Sequence, residues 1–163
     1  KLEHSIAANT EAAIRETQTL VYRDASPPDS PLVPPEVTDS LFDPAAWDRV
    51  RTLAPSEALL FRFSALTFNT HRIHYDAPYA REVERYRGLV VHGPLISTLL
   101  LQLAADLVGP NALRSFAFTA RSPAIAGDTL HLAVRQEGDT LDLAALNDAG
   151  ELLTTASATP GGM

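Results

Sequence analysis

The segment "GPLISTLLLQLAADLVGP" constrains this chain more than any other. Pro94 suits the first turn of a helix, where its missing N–H costs nothing, and Gly109-Pro110 stop it. Between them the residues are apolar nearly all round, so the predicted helix belongs inside the protein. Its apolar run is too short and too interrupted to span a bilayer. Such a helix needs a cover, and the sequence that follows supplies one. "ALRSFAFTARS", "DTLHLAVRQEG", "DTLDLAALNDAG" and "ELLTTASATP" alternate in polarity and read as four strands, with "EGDT" and "NDAG" as hairpin turns. The expectation is an α+β fold in which an antiparallel meander wraps one central helix.

Upstream, "DPAAWDRVRTL" predicts a short helix over 43–53, with Asp43 as N-cap and Pro44 at the first position. In "PSEALLFRFSALTF" the alternation of Leu59, Phe61, Phe63 and Ala65 suits a strand. Ser56 after Pro55 is a good N-cap, however, and a helix is the reading taken. "DAPYAREVERY" begins another short helix near Asp76, and "GLVV" is a short strand. "DASPPDSPLVPPEVTDS" holds five prolines, which prevent continuous helix or ladder pairing, so it reads as a linker. In residues 11–23, Thr17, Thr19, Val21 and Tyr22 favour a strand. No partner strand is expected before it, so it reads as the tail of a preceding domain, and no chemistry is assigned to His4.

A net charge of −7 argues against non-specific nucleic-acid binding. With no cysteine there are no disulfides, thiolate metal sites or Cys nucleophile, which fits a reducing compartment. The polar residues concentrate in "FNTHRIHYD", where Asn69, His71, His74, Tyr75 and Asp76 crowd together. Two imidazoles and an amide so close suit acid/base work, and an ordinary structural role suits them equally. Phe63, Leu66 and Phe68 read as core, Asp76 as a helix cap and Tyr75 as structural. His71 and His74, with Asp76 or His92, could share a metal, but the glutamate of a helical zinc motif is missing and no metal is expected. Ser64 and Ser97 lack the Gly-x-Ser-x-Gly elbow of a hydrolase nucleophile. Gly93, at the start of the central helix, has an N–H unpaired by the helix and suited to hold a carbonyl oxygen as it becomes an enolate. Gly-Pro as plain helix-start chemistry explains that position as well.

Taken together, "FSALTFNTHRIHYDAPYAREVERYRGLVVHGPL" closely resembles the catalytic segment of the MaoC-like hot dog hydratases and dehydratases. The nearest branch is the one that includes hydroxyacyl-thioester dehydratase type 2 and the mesaconyl-C4-CoA hydratases. The wider family uses an Asp-x-Asn-Pro-x-His motif whose Asp and His hold the reacting water. His74 matches that histidine, Asn69 stands where the aspartate does, and His71 and Arg72 fall on the Asn and Pro. An amide orients water but takes no proton, so the resemblance gives His74 the acid/base role, with water held between it and Asn69. Gly93 matches the family's oxyanion-hole glycine. The implied activity is hydration of a 2,3-enoyl thioester or the reverse, with CoA or an acyl carrier as part of the substrate and no cofactor.

His71 is expected to fix the loop or the His74 tautomer. Arg72, Arg81, Arg85 and Arg87 are candidates for the substrate's phosphates, and Arg72 is also a candidate for an acyl carboxylate. The implied division is 1–25 as the last strand of a preceding hot dog half, 26–55 as linker and short helix, and 56–160 as the catalytic hot dog domain. The expected partner is a second copy or a second half, with no membrane association, in the cytoplasm or a mitochondrial matrix. The alternatives are a hot dog thioesterase, which places a carboxylate on or near the central helix where Asp106 is poorly sited, and a non-catalytic acyl-CoA binder.

Overall fold

Alternating leucines set the core of the structure, a computed structural model that describes residues 1–22 and 24–161. Two strands, β1 (Leu2–Ala8) and β2 (Glu11–Gln18), form a separate hairpin. Five more, β3 (Arg49–Leu53), β4 (Leu113–Ala120), β5 (Leu130–Glu137), β6 (Thr140–Leu146) and β7 (Leu152–Pro160), form one antiparallel sheet in the order β3-β5-β6-β7-β4. The helices are α1 (Glu57–Thr67), α2 (Ala77–Glu82) and α3 (Gly93–Val108). Leu130, Leu132 and Val134 of β5 and Leu141 and Leu143 of β6 turn to one face of the sheet. There they pack with Leu95, Ile96, Leu100 and Leu103 of α3 into the main core. A sheet on one central helix is the arrangement expected for a hot dog domain.

Two expectations about the sheet need correction. The final three strands form the meander, but β4 pairs with β7 rather than β5. Tight turns at Gly138 and Gly150, both at positive φ, force β5-β6 and β6-β7 to be neighbours. The connection of residues 121–129 between β4 and β5 is longer than a hairpin turn, and its own turn at Gly127 comes only after the chain has bridged to Val90 at Ile125, so β5 is not held beside β4. The second correction concerns 43–53. Asp43 Oδ1 does accept from Ala45 N–H at 2.9 Å, but the start signal drives only a 3₁₀ turn at Pro44–Ala46. Arg49–Leu53 then becomes an edge strand on β5. Phe42, Trp47 and Val50 cover Ala133, Ala144 and Leu146 on the outer face of the sheet. The stretch assigned to a linker thus contributes a strand and an apolar cover, because that outer face needs one.

Helix α1 forms as expected, with Ser56 Oγ accepting from Leu59 N–H at 3.2 Å. Its buried side is Leu60 and Ser64, and Phe63 packs against the core. Leu66 and Phe68, expected inside, are 79% and 91% exposed. They lie past the single contact stripe of the helix, and Phe68 is a left-handed C-cap at φ 53. Helix α3 also keeps an exposed stripe through Pro94, Thr98, Leu101, Gln102 and Asp106, so it is covered on part of its circumference only.

The predicted strand in 11–23 occupies Glu11–Gln18, and it does have an upstream partner, β1. Thr19–Tyr22 lie outside it, and Arg23 falls outside the described residues. Ile6 and Ile14 face each other across the hairpin and remain 52% and 56% exposed. His4 pairs with Glu16 across it at 2.9 Å.

Helix burial makes a contrast testable by urea unfolding. Leu100→Ala, at a fully buried position, is expected to cost about 2–5 kcal/mol. Leu101→Ala, on the exposed stripe, should cost less than about 1 kcal/mol.

Candidate active site

The residues Val90–Gly93 lead into α3 and are pinned before they reach it. Val90 N–H donates to Ile73 O at 2.9 Å and Val91 N–H to Ala124 O at 2.8 Å. Opposite them, a 3₁₀ turn at Arg72–His74 is anchored by the buried Ile73. Asp76 then caps α2 by accepting from Tyr79 N–H at 3.0 Å, which ends the loop. His74 is thereby held against the segment that starts the central helix.

His74 Nδ1 lies 2.7 Å from Val90 O. A carbonyl only accepts, so Nδ1 carries the proton and Nε2 keeps its lone pair. Among the described residues Nε2 has no hydrogen-bond partner. Burial holds the His74 pKa below the ordinary imidazole value; the Val90 carbonyl opposes this and the nearby His71 adds to it.

His92 stacks on His74 with centroids 3.7 Å apart and planes at 18°. It is fully buried, and Ser64 Oγ lies 2.8 Å from its Nε2. Burial first, and then the His74 ring, push the His92 pKa down to about 4. Both imidazoles are neutral at pH 7.

His74, His71 and Gly93 line one open cleft of about 750 Å³. Ile73, Val90, Val91 and Ile96 form apolar wall, while Glu84, Tyr86, Arg121 and Ser122 supply polar groups. Gly93 opens a 16-residue helix whose N-cap, His92, makes no side-chain cap. Its N–H therefore sits at the positive end of the helix dipole beside Pro94, which has no N–H to offer. A Cβ at Gly93 would meet no atom within 4 Å, so the space over this backbone is open.

The other expected residues are not brought to this cleft. Asn69 Oδ1 accepts from His71 N–H at 3.0 Å, a local turn that shapes the start of the loop. Asn69 lines a separate depression with Phe61, Phe68 and Tyr75, so the expected water between Asn69 and His74 does not follow from this geometry. Arg72 pairs with Asp76 at 2.7 Å and lies over the Tyr79 ring. Arg85 donates to Ser30 O at 2.8 and 2.6 Å, tying down the proline-rich segment. Arg87 pairs with Asp128, and Arg81 is exposed away from the cleft. Among the described residues the arginine that lines the cleft is Arg121, and it was not singled out from the sequence. Nor was the Ser64–His92 pair, whose members are 28 residues apart and share no motif. Asp106 is held by Arg51 at 2.7 Å in the last turns of α3, at the end opposite Gly93.

The family model of hydroxyacyl-thioester dehydratase type 2 matches residues 1–126. The chain belongs to this family. It is 41% identical over 152 residues to the mesaconyl-C(4)-CoA hydratase of Chloroflexus aurantiacus, covering 91% of this chain and 51% of that protein. It is 29% identical over 128 residues to the mitochondrial hydroxyacyl-thioester dehydratase type 2 of Schizosaccharomyces pombe, covering 77% of this chain and 40% of that protein. The chain thus spans about half the length, or less, of these curated relatives. Among solved structures, the MaoC-like dehydratase from Phytophthora capsici superposes with a TM-score of 0.63 at 14% identity, over 94% of this chain and 48% of that one. The fold is the hot dog fold of the MaoC-like proteins.

Two histidines held neutral by burial make stability pH-dependent. The unfolded chain binds protons on them near pH 6.5, while the folded protein resists protonation of His92 until about pH 4. Stability is therefore intact above pH 6.5 and declines as pH falls between those values. His92→Phe removes one such group. Its unfolding free energy, measured by urea titration, should fall less between pH 7 and 4.5 than that of the unsubstituted protein.

Proposed function

We propose that this domain is the catalytic half of a hydro-lyase acting on 2,3-enoyl and 3-hydroxyacyl thioesters. The observation that carries the reading is the commitment of His74 Nδ1–H to Val90 O, which leaves basic Nε2 for the cleft that Gly93 also lines. In the hydration direction the Gly93 N–H donates to the thioester carbonyl oxygen. Nε2 of His74 takes a proton from water as the water oxygen bonds to C3. The C2=C3 π pair becomes the C1=C2 bond and the carbonyl π pair moves onto oxygen, where the N–H and the helix dipole stabilise the enolate. His74 Nε2–H then returns the proton to C2, and the carbonyl re-forms. Dehydration is the reverse. Only water and protons move, so the chemistry requires no redox or metal cofactor.

Asn69 acts on this reading through the loop: its turn aims the segment that carries His71 and His74. The acyl group we infer is mesaconyl-C4 or a related short branched acyl on CoA, supported by the relative at 41% identity. The partner we infer is a second hot dog unit, a separate half or a second copy. Its support is the half-length match, the open edge of β4 and the exposed stripe of α3.

An assay with crotonyl-CoA and mesaconyl-C4-CoA should lose enoyl absorbance without releasing free thiol; thiol release would make the protein a thioesterase. His74→Ala should lower kcat on the order of a hundredfold or more, and activity within a few-fold of the starting protein would remove His74 from the chemistry. Gly93→Ala should fold normally, since its methyl meets nothing, yet lose kcat/KM because the methyl stands where the carbonyl must approach.

A further inference from the structure

We propose that His92 is a positioning residue for His74, holding the plane of its ring so that Nε2 stays aimed into the cleft, and that Ser64 holds His92 in turn. This rests on the reading of His74 as the acid/base group. The bond from Nδ1 to Val90 O restrains rotation about Cβ–Cγ at one edge of the ring, and a hydrogen bond tolerates tilt, so nothing in that bond bears on the ring's faces. Something must set the plane. His92 lies on one face at 3.7 Å and 18°, while His71 meets the ring edge-on at 5.6 Å and 84°.

His92 is itself constrained on several sides. Ser64 Oγ meets Nε2 at 2.8 Å and Phe63 meets the ring edge at 4.9 Å, both from α1. The backbone of His92 is fixed as the N-cap of α3. Three separate elements thus converge on one imidazole plate: the catalytic loop, α1 and the start of α3.

The choice of histidine here needs a reason. Its Nδ1 is buried with no partner among the described residues. A Leu or Phe would fill a fully buried site without leaving a polar atom unpaired. An unpaired acceptor costs less than an orphaned N–H, so the proton belongs on Nε2, donated to Ser64 Oγ. That bond is what a Leu or Phe could not make, and it locks the plate against rotation.

The plate also stays uncharged when His74 takes its proton, since its own burial resists a second charge. The other described titratable groups that line the cleft with His74 are His71 from its own turn, Tyr22 from beyond β2, Glu84 and Tyr86 from beyond α2, and Arg121 just after β4.

The test compares His92→Ala, His92→Phe and Ser64→Ala by kcat, KM, pH-rate profile and ¹⁵N NMR of the His74 imidazole without substrate. His92→Ala should lower kcat roughly ten- to a hundredfold with KM within about twofold, as a misaimed base does. Its acidic limb should move to higher pH, because water entering beside His74 relieves the burial that depresses it. The single Nδ1–H tautomer pattern of His74 should blur in His92→Ala. Ser64→Ala should show a smaller change of the same kind, and His92→Phe, which keeps a plate but loses its anchor, should lie between.

A folded His92→Ala whose kcat, acidic limb and His74 spectrum match the starting protein would overturn the proposal. If His92→Ala does not fold, unchanged His74 spectra in both His92→Phe and Ser64→Ala overturn it. The spectra need no turnover, so they decide positioning even if the protein hydrates no enoyl thioester. An active enzyme with unmoved spectra would refute positioning alone.

Discussion

The packing of α3 against the leucine face of β5 and β6 is the contact on which the rest of the domain depends. A helix buried along its body must still end somewhere, and its end carries backbone N–H groups without partners. Here the sheet covers Leu95 to Leu103, while the first residue, Gly93, emerges at a cleft. The same apolar burial that stabilises the fold therefore delivers a donor and the positive end of a dipole to a place a ligand can reach.

The residues just before that helix do several jobs at once because the chain is nearly extended there. Val90 turns its carbonyl to His74 and fixes a tautomer. Val91 ties the segment to Ala124. His92 turns inward to stack, and Gly93 opens the helix. The His74 ring and the Gly93 N–H are thus held by neighbouring residues of one pinned segment, so their relative geometry depends little on distant loops. Burial lowers the pKa of both imidazoles and keeps them neutral.

The arginines behave differently from what their chemistry alone suggests. Arg72, Arg85 and Arg87 are held by Asp76, Ser30 O and Asp128, and they fasten the loop, the proline-rich segment and the approach to α3. A planar fork suits a backbone carbonyl or a carboxylate of the same chain as well as a ligand phosphate. Nothing in the local sequence separates the two uses. Arg121 reaches the cleft only because β4 crosses to β7 and carries its end there.

By itself the sequence determined the elements whose signals are local. Ser56 and Asp76 cap their helices, Pro94 and Gly109 bound α3, and alternation marks β4 to β7, because each signal is written within a few neighbouring residues. His74 and Gly93 were singled out from their spacing within one continuous stretch, which carries the resemblance, and the fold places both at one cleft. Tertiary structure decided what depends on partners far along the chain. Arg49–Leu53 became a strand because β5 offered an edge, against its own helix-start signal. Asn69 was turned to its own loop instead of the cleft. The Ser64–His92 bond joins residues 28 apart, and only the approach of α1 to the start of α3 could bring them together.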